Sequence, residues 1–410
     1  MAFMFPILRT FRINPLCLVI SGLLLSACNG SSDSTPAPVP PPPPPEPPVK
    51  LLGESMVGKQ FRPGGIAVDA SGTIYVGNGS PEQLPSSVIT GPVIEVVKMS
   101  QTGTVSPFIN RTSTYTSEGA AVAPGQVVQL VFNSTSQTLY ALEMSGMGSS
   151  YSYGVIRPIS AAGVVGTIRL ADTPTHANDS RLPTTIAQRP VALAIGPEGV
   201  LHAYGAGDYA PSSTPGVGYF GVSFNGWQTV NPDGSGRVVY SQESGYRNGG
   251  YDPRGPFTYT YPADLGATAG RLGRNDGGLA VDSVGNGYIA DTARHAIIKV
   301  TPTGSASIFA GAVTEAGSAD GTGKAARFNQ PTQLVVDKAA NVFVLDRGNA
   351  TVRKITPAGV VTTVLGVAGQ AQTKTGELPG GLGAPMGLAM DADGRLYVTV
   401  DKGVVRAKLP

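Results

Sequence analysis

One short segment recurs six times along this chain, and its best copies read Pro63-Gly64-Gly65-Ile66-Ala67-Val68-Asp69, Asp276-Gly277-Gly278-Leu279-Ala280-Val281-Asp282, Pro331-Thr332-Gln333-Leu334-Val335-Val336-Asp337 and Pro385-Met386-Gly387-Leu388-Ala389-Met390-Asp391. Each copy is followed by a short turn and a second apolar strand, as in Ser71-Gly72-Thr73-Ile74-Tyr75-Val76 and Gly394-Arg395-Leu396-Tyr397-Val398. A unit this small cannot bury its own faces, so repeated units must stack on one another around a shared core.

A third strand follows in the better copies (Val93–Val97, Ala296–Val300, Thr351–Ile355). A fourth comes after a tight turn at Gly103, Gly304 or Gly359. Short strands rich in Val, Ile and Tyr, punctuated by Gly, Asn, Asp and Pro, run through the domain with no convincing amphipathic helix. The expected fold is all-β, a six-bladed β-propeller of four-stranded blades. The last unit ends at its third strand, Val404 to Leu409, whereas Val49-Lys50-Leu51-Leu52-Gly53 precedes the first unit and belongs to none. This N-terminal strand is expected to complete the sixth blade and close the ring, leaving no open sheet edge there.

The stretch from Ala325-Ala326-Arg327-Phe328-Asn329-Gln330-Pro331, through Phe343-Val344-Leu345-Asp346-Arg347-Gly348-Asn349, to Val352-Arg353-Lys354-Ile355-Thr356-Pro357-Ala358-Gly359 resembles the NHL repeat. Residues 276–408 carry the resemblance strongly and 61–109 moderately, while blade two (127–170) and blade three (190–240) have diverged. The resemblance implies a role as an interaction module, since NHL propellers commonly serve as such.

Residues 1–27 read as an export signal. Arg9 and Arg12 precede an apolar run, Leu16–Leu25, that is too short to span a bilayer. The run ends in Leu25-Ser26-Ala27-Cys28, which resembles a bacterial lipoprotein signal. The resemblance implies that Cys28 is acylated and becomes the mature N-terminus, with the lipid bilayer as its partner. Asn29 follows in place of an aspartate, which favours the outer membrane, on its periplasmic or cell-surface side. Cys17 falls in the removed segment, so no disulfide or cysteine-ligated metal is expected in the mature domain. Residues 28–48 hold the lipidated cysteine and a Pro-rich linker that should extend at about 3.1 Å per residue. Residues 49–410 form the propeller.

Basic and acidic residues number 29 and 27, and the basic ones form no stripe, so nucleic acid is not an expected partner. In a propeller the turns joining strands one to two and three to four share one face, and here they are short. The connections on the other face are long: Asn78–Gly91, Asn110–Ala123, Glu143–Gly154, Ala171–Arg189, Ala206–Gly226 and Ser241–Asn275. Long loops on a rigid scaffold are where binding resides, so this loop face is the expected site for a protein, peptide or glycan. Tyr219 and Tyr251 among its aromatics, with Trp227 close behind, are candidate contacts. Arg62, Arg189, Arg274 and Asn275, with Gln330 and Ala384, precede the inner strands and should ring the channel mouth, where converging arginines would favour an anionic group.

The Asp closing each inner strand (Asp69, Asp282, Asp337, Asp391) recurs too regularly for a catalyst and is expected to accept turn N–H groups. The same structural role is expected of Asp291, Asp346 and Asp401 after the second strand. The alternative is a metal-dependent propeller enzyme of the lactonase, gluconolactonase or lyase type. Only Asp276 and Asn275 clearly offer oxygens at the mouth, and His176, His202 and His295 come from separate blade regions, short of calcium or zinc needs. No catalytic residue, metal site or cofactor is therefore expected.

Overall fold

In a computed structural model of the chain, the described residues are 46–56, 61–79, 93–111, 115–117, 120–122, 126–147, 151–168, 170, 189–209, 222–245 and 277–410. They form an all-β ring of six antiparallel sheets, each a blade of a β-propeller. The closing strand β1 (Val49–Leu52) comes first in the chain. Blade one is β2 (Pro63–Val68), β3 (Ile74–Asn78), β4 (Val93–Met99) and β5 (Val105–Arg111), and a small hairpin of β6 (Tyr115–Ser117) and β7 (Ala120–Val122) follows.

Blade two is β8 (Gln126–Asn133), β9 (Thr138–Met147) and β10 (Tyr151–Ile159). Blade three is β11 (Arg189–Ile195), β12 (Leu201–Tyr209), β13 (Val222–Val230) and β14 (Val238–Gly245). Blade four is β15 (Leu279–Val281), β16 (Gly287–Asp291), β17 (Ala296–Val300) and β18 (Ala306–Ala310). Blade five adds a short outer strand, β19 (Gly321–Thr322), to β20 (Pro331–Val336), β21 (Val342–Asp346), β22 (Thr351–Ile355) and β23 (Val360–Leu365). Blade six is β24 (Leu388–Met390), β25 (Leu396–Val400) and β26 (Gly403–Ala407), completed by β1.

The closure follows the sequence expectation. Val49, Lys50, Leu51 and Leu52 pair antiparallel with Ala407, Arg406, Val405 and Val404. Val49 joins the apolar cluster shared by blades five and six, and Leu52 joins the one shared by blades six and one. Each of the other four junctions has a cluster of its own. Strands here are buried on both faces because alternate residues serve alternate neighbours: in β21, Val342 and Val344 pack toward blade four, while Phe343 and Leu345 pack toward blade six.

Blade two departs from the four-strand expectation. Its outer place is taken by two isolated bridges, Ile159 to Val165 and Ile156 to Ile168. Pro158 on β10 has no N–H to give to a neighbouring strand, so a regular ladder is interrupted there. Only its carbonyl is used, accepting from Gly166 N at 2.8 Å.

Polar side chains tie neighbouring blades together near the axis. Thr399 donates to Gly64 O at 2.7 Å while accepting from Gly387 N at 2.7 Å, which joins blade six to blade one. The Gln129 amide of blade two brackets Leu193 of blade three, donating to its carbonyl at 2.9 Å and accepting from its N–H at 2.7 Å. Thr292 of blade four donates to Pro331 O of blade five at 2.6 Å.

Candidate functional site

The two ends of the ring are built differently. At the short-turn end, Asp69 Oδ1 accepts from the N–H groups of Ser71 and Thr73, both at 2.9 Å, and its other oxygen accepts from the Tyr75 hydroxyl at 3.1 Å. Asp282 and Asp337 repeat the two N–H bonds, and Asp391 Oδ1 accepts from Asp393 N and Arg395 N at 3.0 and 2.9 Å. Burial opposes ionisation of Asp69, yet its donors outweigh burial and hold the carboxyl below its ordinary range. These carboxylates are consumed by the turns, as the recurrence implies.

At the opposite end, in blades one and five, the residue closing the second strand holds the chain that enters the inner strand. Asn78 Oδ1 accepts from Arg62 N at 3.2 Å, and Asp346 Oδ1 accepts from Asn329 N at 2.7 Å. Asp401 Oδ1 accepts from the Thr373 hydroxyl at 3.0 Å. Asp291 is the exception. Its Oδ1 accepts from Arg294 N at 3.2 Å, but its buried Oδ2 has no hydrogen-bond partner.

Arg62 lies exposed immediately before β2, at the mouth, and among the described residues it forms no ion pair. Arg189 begins β11, its backbone paired with Ala206 at the same end of blade three. Gln330 is exposed with φ +52, and its N–H donates to His295 Nδ1 at 3.0 Å. Ala384 also has a left-handed backbone, φ +42. Cys28, Tyr219, Tyr251, Arg274, Asn275 and His176 lie outside the described residues, as does Asp276.

Trp227 is not on the loop surface. It is 1% exposed, packed into the junction of blades three and four, and its ring lies over Gly287, where a Cβ would come within 2.6 Å of Cζ3. Its Nε1 donates to His202 Nδ1 at 2.9 Å. The only tryptophan is thus a core residue, and the candidate contact surface loses it.

That hydrogen bond requires a neutral imidazole at Nδ1. Burial first, and the nearby Arg237 charge second, lower the His202 pKa to about 4. His202 lies near the start of β12, at the short-turn end, whereas His295 sits after β16 at the loop end, so the two cannot share a metal ion. Because the folded pKa is depressed below the unfolded value of about 6.5, the stabilisation from His202 is complete above pH 6.5 and is lost as pH falls toward 4. The loss approaches about 3 kcal/mol. Subtracting the urea-unfolding profile of His202→Gln from that of the parent chain should reveal this acid-side loss. A difference that stays flat between pH 7 and pH 4 would contradict it. The subtraction is needed because burial pushes Asp291 the other way, up to about 6.

Sequence reasoning passed over Tyr204. Its ring is 3% exposed beside Trp227, its hydroxyl has no partner, and burial, with Asp291 charge behind it, holds it protonated well above the ordinary tyrosine range. The one available signal was the segment after Asp291, which reads Thr-Ala-Arg where blade five reads Arg347-Gly348-Asn349. Asn349 supplies a 2.7 Å bond to Asp346 Oδ2, and blade four has no equivalent.

No protein-family model matches the chain, and no curated protein matches it by sequence. Solved structures do match. A Bacteroides thetaiotaomicron VPI-5482 structural-genomics protein of unknown function is 16% identical with a TM-score of 0.56, over 88% of this chain and 76% of that one. An auxiliary nutrient binding protein from the same organism is 14% identical with a TM-score of 0.51, over 88% of this chain and 70% of that one. A Xanthomonas campestris gluconolactonase is 12% identical with a TM-score of 0.46, over 87% and 88%. The blade pattern and the first two likenesses define the class of the molecule as a six-bladed β-propeller.

Proposed function

We propose that this chain is an NHL-repeat propeller lipoprotein of the bacterial outer membrane, anchored through acylated Cys28, that acts as a non-catalytic binding module and presents its loop face to a protein, peptide or glycan. The contrast between the two ends of the ring carries the reading. The short-turn carboxylates are consumed by their own turns, while the other end combines long connections with an exposed arginine at the mouth, Arg62. A nutrient-binding propeller of the same fold makes a binding role concrete, but fold does not fix function, so the weight stays on the loop face.

Two experiments test the two halves of this reading. Metabolic labelling with an alkynyl palmitate should mark the full-length chain in the membrane fraction, and Cys28→Ser should lose the label. A labelled Cys28→Ser chain would refute the anchor. Panels of peptides and glycans should then detect ligand capture by the purified lipoprotein. For an anionic ligand Arg62→Ala should weaken capture about tenfold or more, the effect of losing a charged hydrogen bond. Stoichiometric divalent metal retained through chelator-free purification, together with turnover of a lactone, would replace the binding module with the enzyme reading.

A further inference from the structure

Buried polar atoms without partners lose their water and gain nothing in return. Three of them, from three successive blades, gather at the loop-face end of blade four. Tyr204 Oη, Asp291 Oδ2 and Thr332 Oγ1 are each shut off from solvent and unpartnered, on residues 3%, 1% and 9% exposed. The Gly277-Gly278 pair connects them. A Cβ on Gly277 would stand 3.5 Å from the Tyr204 ring and 3.3 Å from the carbonyl of Ala290, the residue before Asp291. A Cβ on Gly278 would come within 2.0 Å of Thr332 O. The glycines therefore let the backbone pack closely beside these residues and place no side chain of their own among them.

The equivalent position elsewhere shows what is unusual here. Asp346 spends both oxygens on Asn329 N, Asn349 and Arg353, whereas Asp291 Oδ2 faces only the Arg294 guanidinium, at 3.6 Å, beyond hydrogen-bond length. That guanidinium offsets the carboxylate charge without satisfying its oxygen. The site thus presents one strong acceptor and two hydroxyls that can donate or accept, with little net charge.

We propose that Tyr204, Asp291 and Thr332, around Gly277-Gly278, form a binding site for a small uncharged molecule bearing neighbouring hydroxyl groups, a sugar or polyol. The proposal rests on the reading that the loop end of the ring binds ligands, and it names the ligand class. One hydroxyl would donate to Asp291 Oδ2, and adjacent ones would bond Tyr204 and Thr332. An anion would meet the carboxylate, and a cation would meet Arg294. Because the three oxygens are covered, the ligand must separate packed groups to enter, so association should be slower than diffusion.

The test is thermal unfolding of the full-length, detergent-solubilised protein with glucose, galactose, mannose, inositol or glycerol, with dissociation constants from calorimetry. At least one of these should raise the midpoint. Tyr204→Phe and Asp291→Asn should weaken that ligand tenfold or more, and without ligand Tyr204→Phe should leave the midpoint unchanged or raised, since it removes a buried hydroxyl that has no partner. Sugar binding at equal affinity in both variants would overturn this site while leaving the binding-module reading intact. A lowered ligand-free midpoint in both variants, with no sugar effect, would overturn it in favour of a structural role. Failure of every sugar and polyol to bind would overturn it as well, and failure of peptides and glycans in the earlier panels would remove the binding module too.

Discussion

A full-length chain carrying Val49→Asp and Leu52→Asp should lose its cooperative unfolding transition, although only two side chains of a short strand have changed. Both positions are closed to solvent, at 0% and 2% exposure, and they face opposite junctions of blade six. Losing a buried Val and a buried Leu costs about 1.5–3 kcal/mol each before the penalty for burying charge. Detachment of β1 also leaves β26 as a bare edge and removes the pairing that joins the two ends of the ring. Together these terms reach the order of a whole domain's stability, about 5–15 kcal/mol. Lys50, half-buried between them, serves as the control, and Lys50→Ala should unfold normally. Circular dichroism melts decide the matter: a doubly substituted chain melting within a few degrees of the parent would show that β1 is not the closure.

The closing strand was legible in the sequence because two incomplete units sat at opposite ends and were complementary. The turn carboxylates were legible for a related reason, since a residue repeated at every turn serves the turn. What escaped was pairwise and local. Nothing in the spacing of His202 and Trp227 says that they meet, because their contact depends on the register of β12 on β13, where Tyr204 stands opposite Trp227 and His202 opposite Thr229. Aromatic content near long loops suggested a surface, and burial on both faces of a blade sent Trp227 into the core instead. Blade two lost its regular outer strand at Pro158, a single residue whose effect becomes visible only once β10 is known to need a partner there. Asp291 is the clearest case, because its sequence position promises a bound loop and only the structure shows that one of its oxygens has no hydrogen-bond donor.

Arg353→Met should be among the most damaging single substitutions in the described part of the ring. The guanidinium is completely buried and uses a fork that no other side chain reproduces. Nη1 donates to Arg327 O at 2.9 Å and Asp346 Oδ2 at 3.0 Å, while Nη2 donates to Ala319 O at 2.9 Å and Asp320 Oδ1 at 2.6 Å. The group also lies over the Phe328 ring, 5.2 Å from its centre. One side chain thereby fixes the connection leading from blade four into β20. Its removal strands Asp346, itself 0% exposed, as an uncompensated buried charge, and breaking such a pair costs about 3–5 kcal/mol. Two further outcomes separate charge from packing. Arg353→Lys should recover little, because a point charge cannot bridge two carbonyls and two carboxylates. Arg353→Met combined with Asp346→Asn should cost clearly less than the sum of the single changes, since the orphaned charge is gone. Urea unfolding gives all three values, and hydrogen exchange at Arg327 and Asn329 should quicken in Arg353→Met as the connection loosens. A loss below about 1 kcal/mol, within the range of exposed ion pairs, would mean that the apolar junction holds this connection without the arginine.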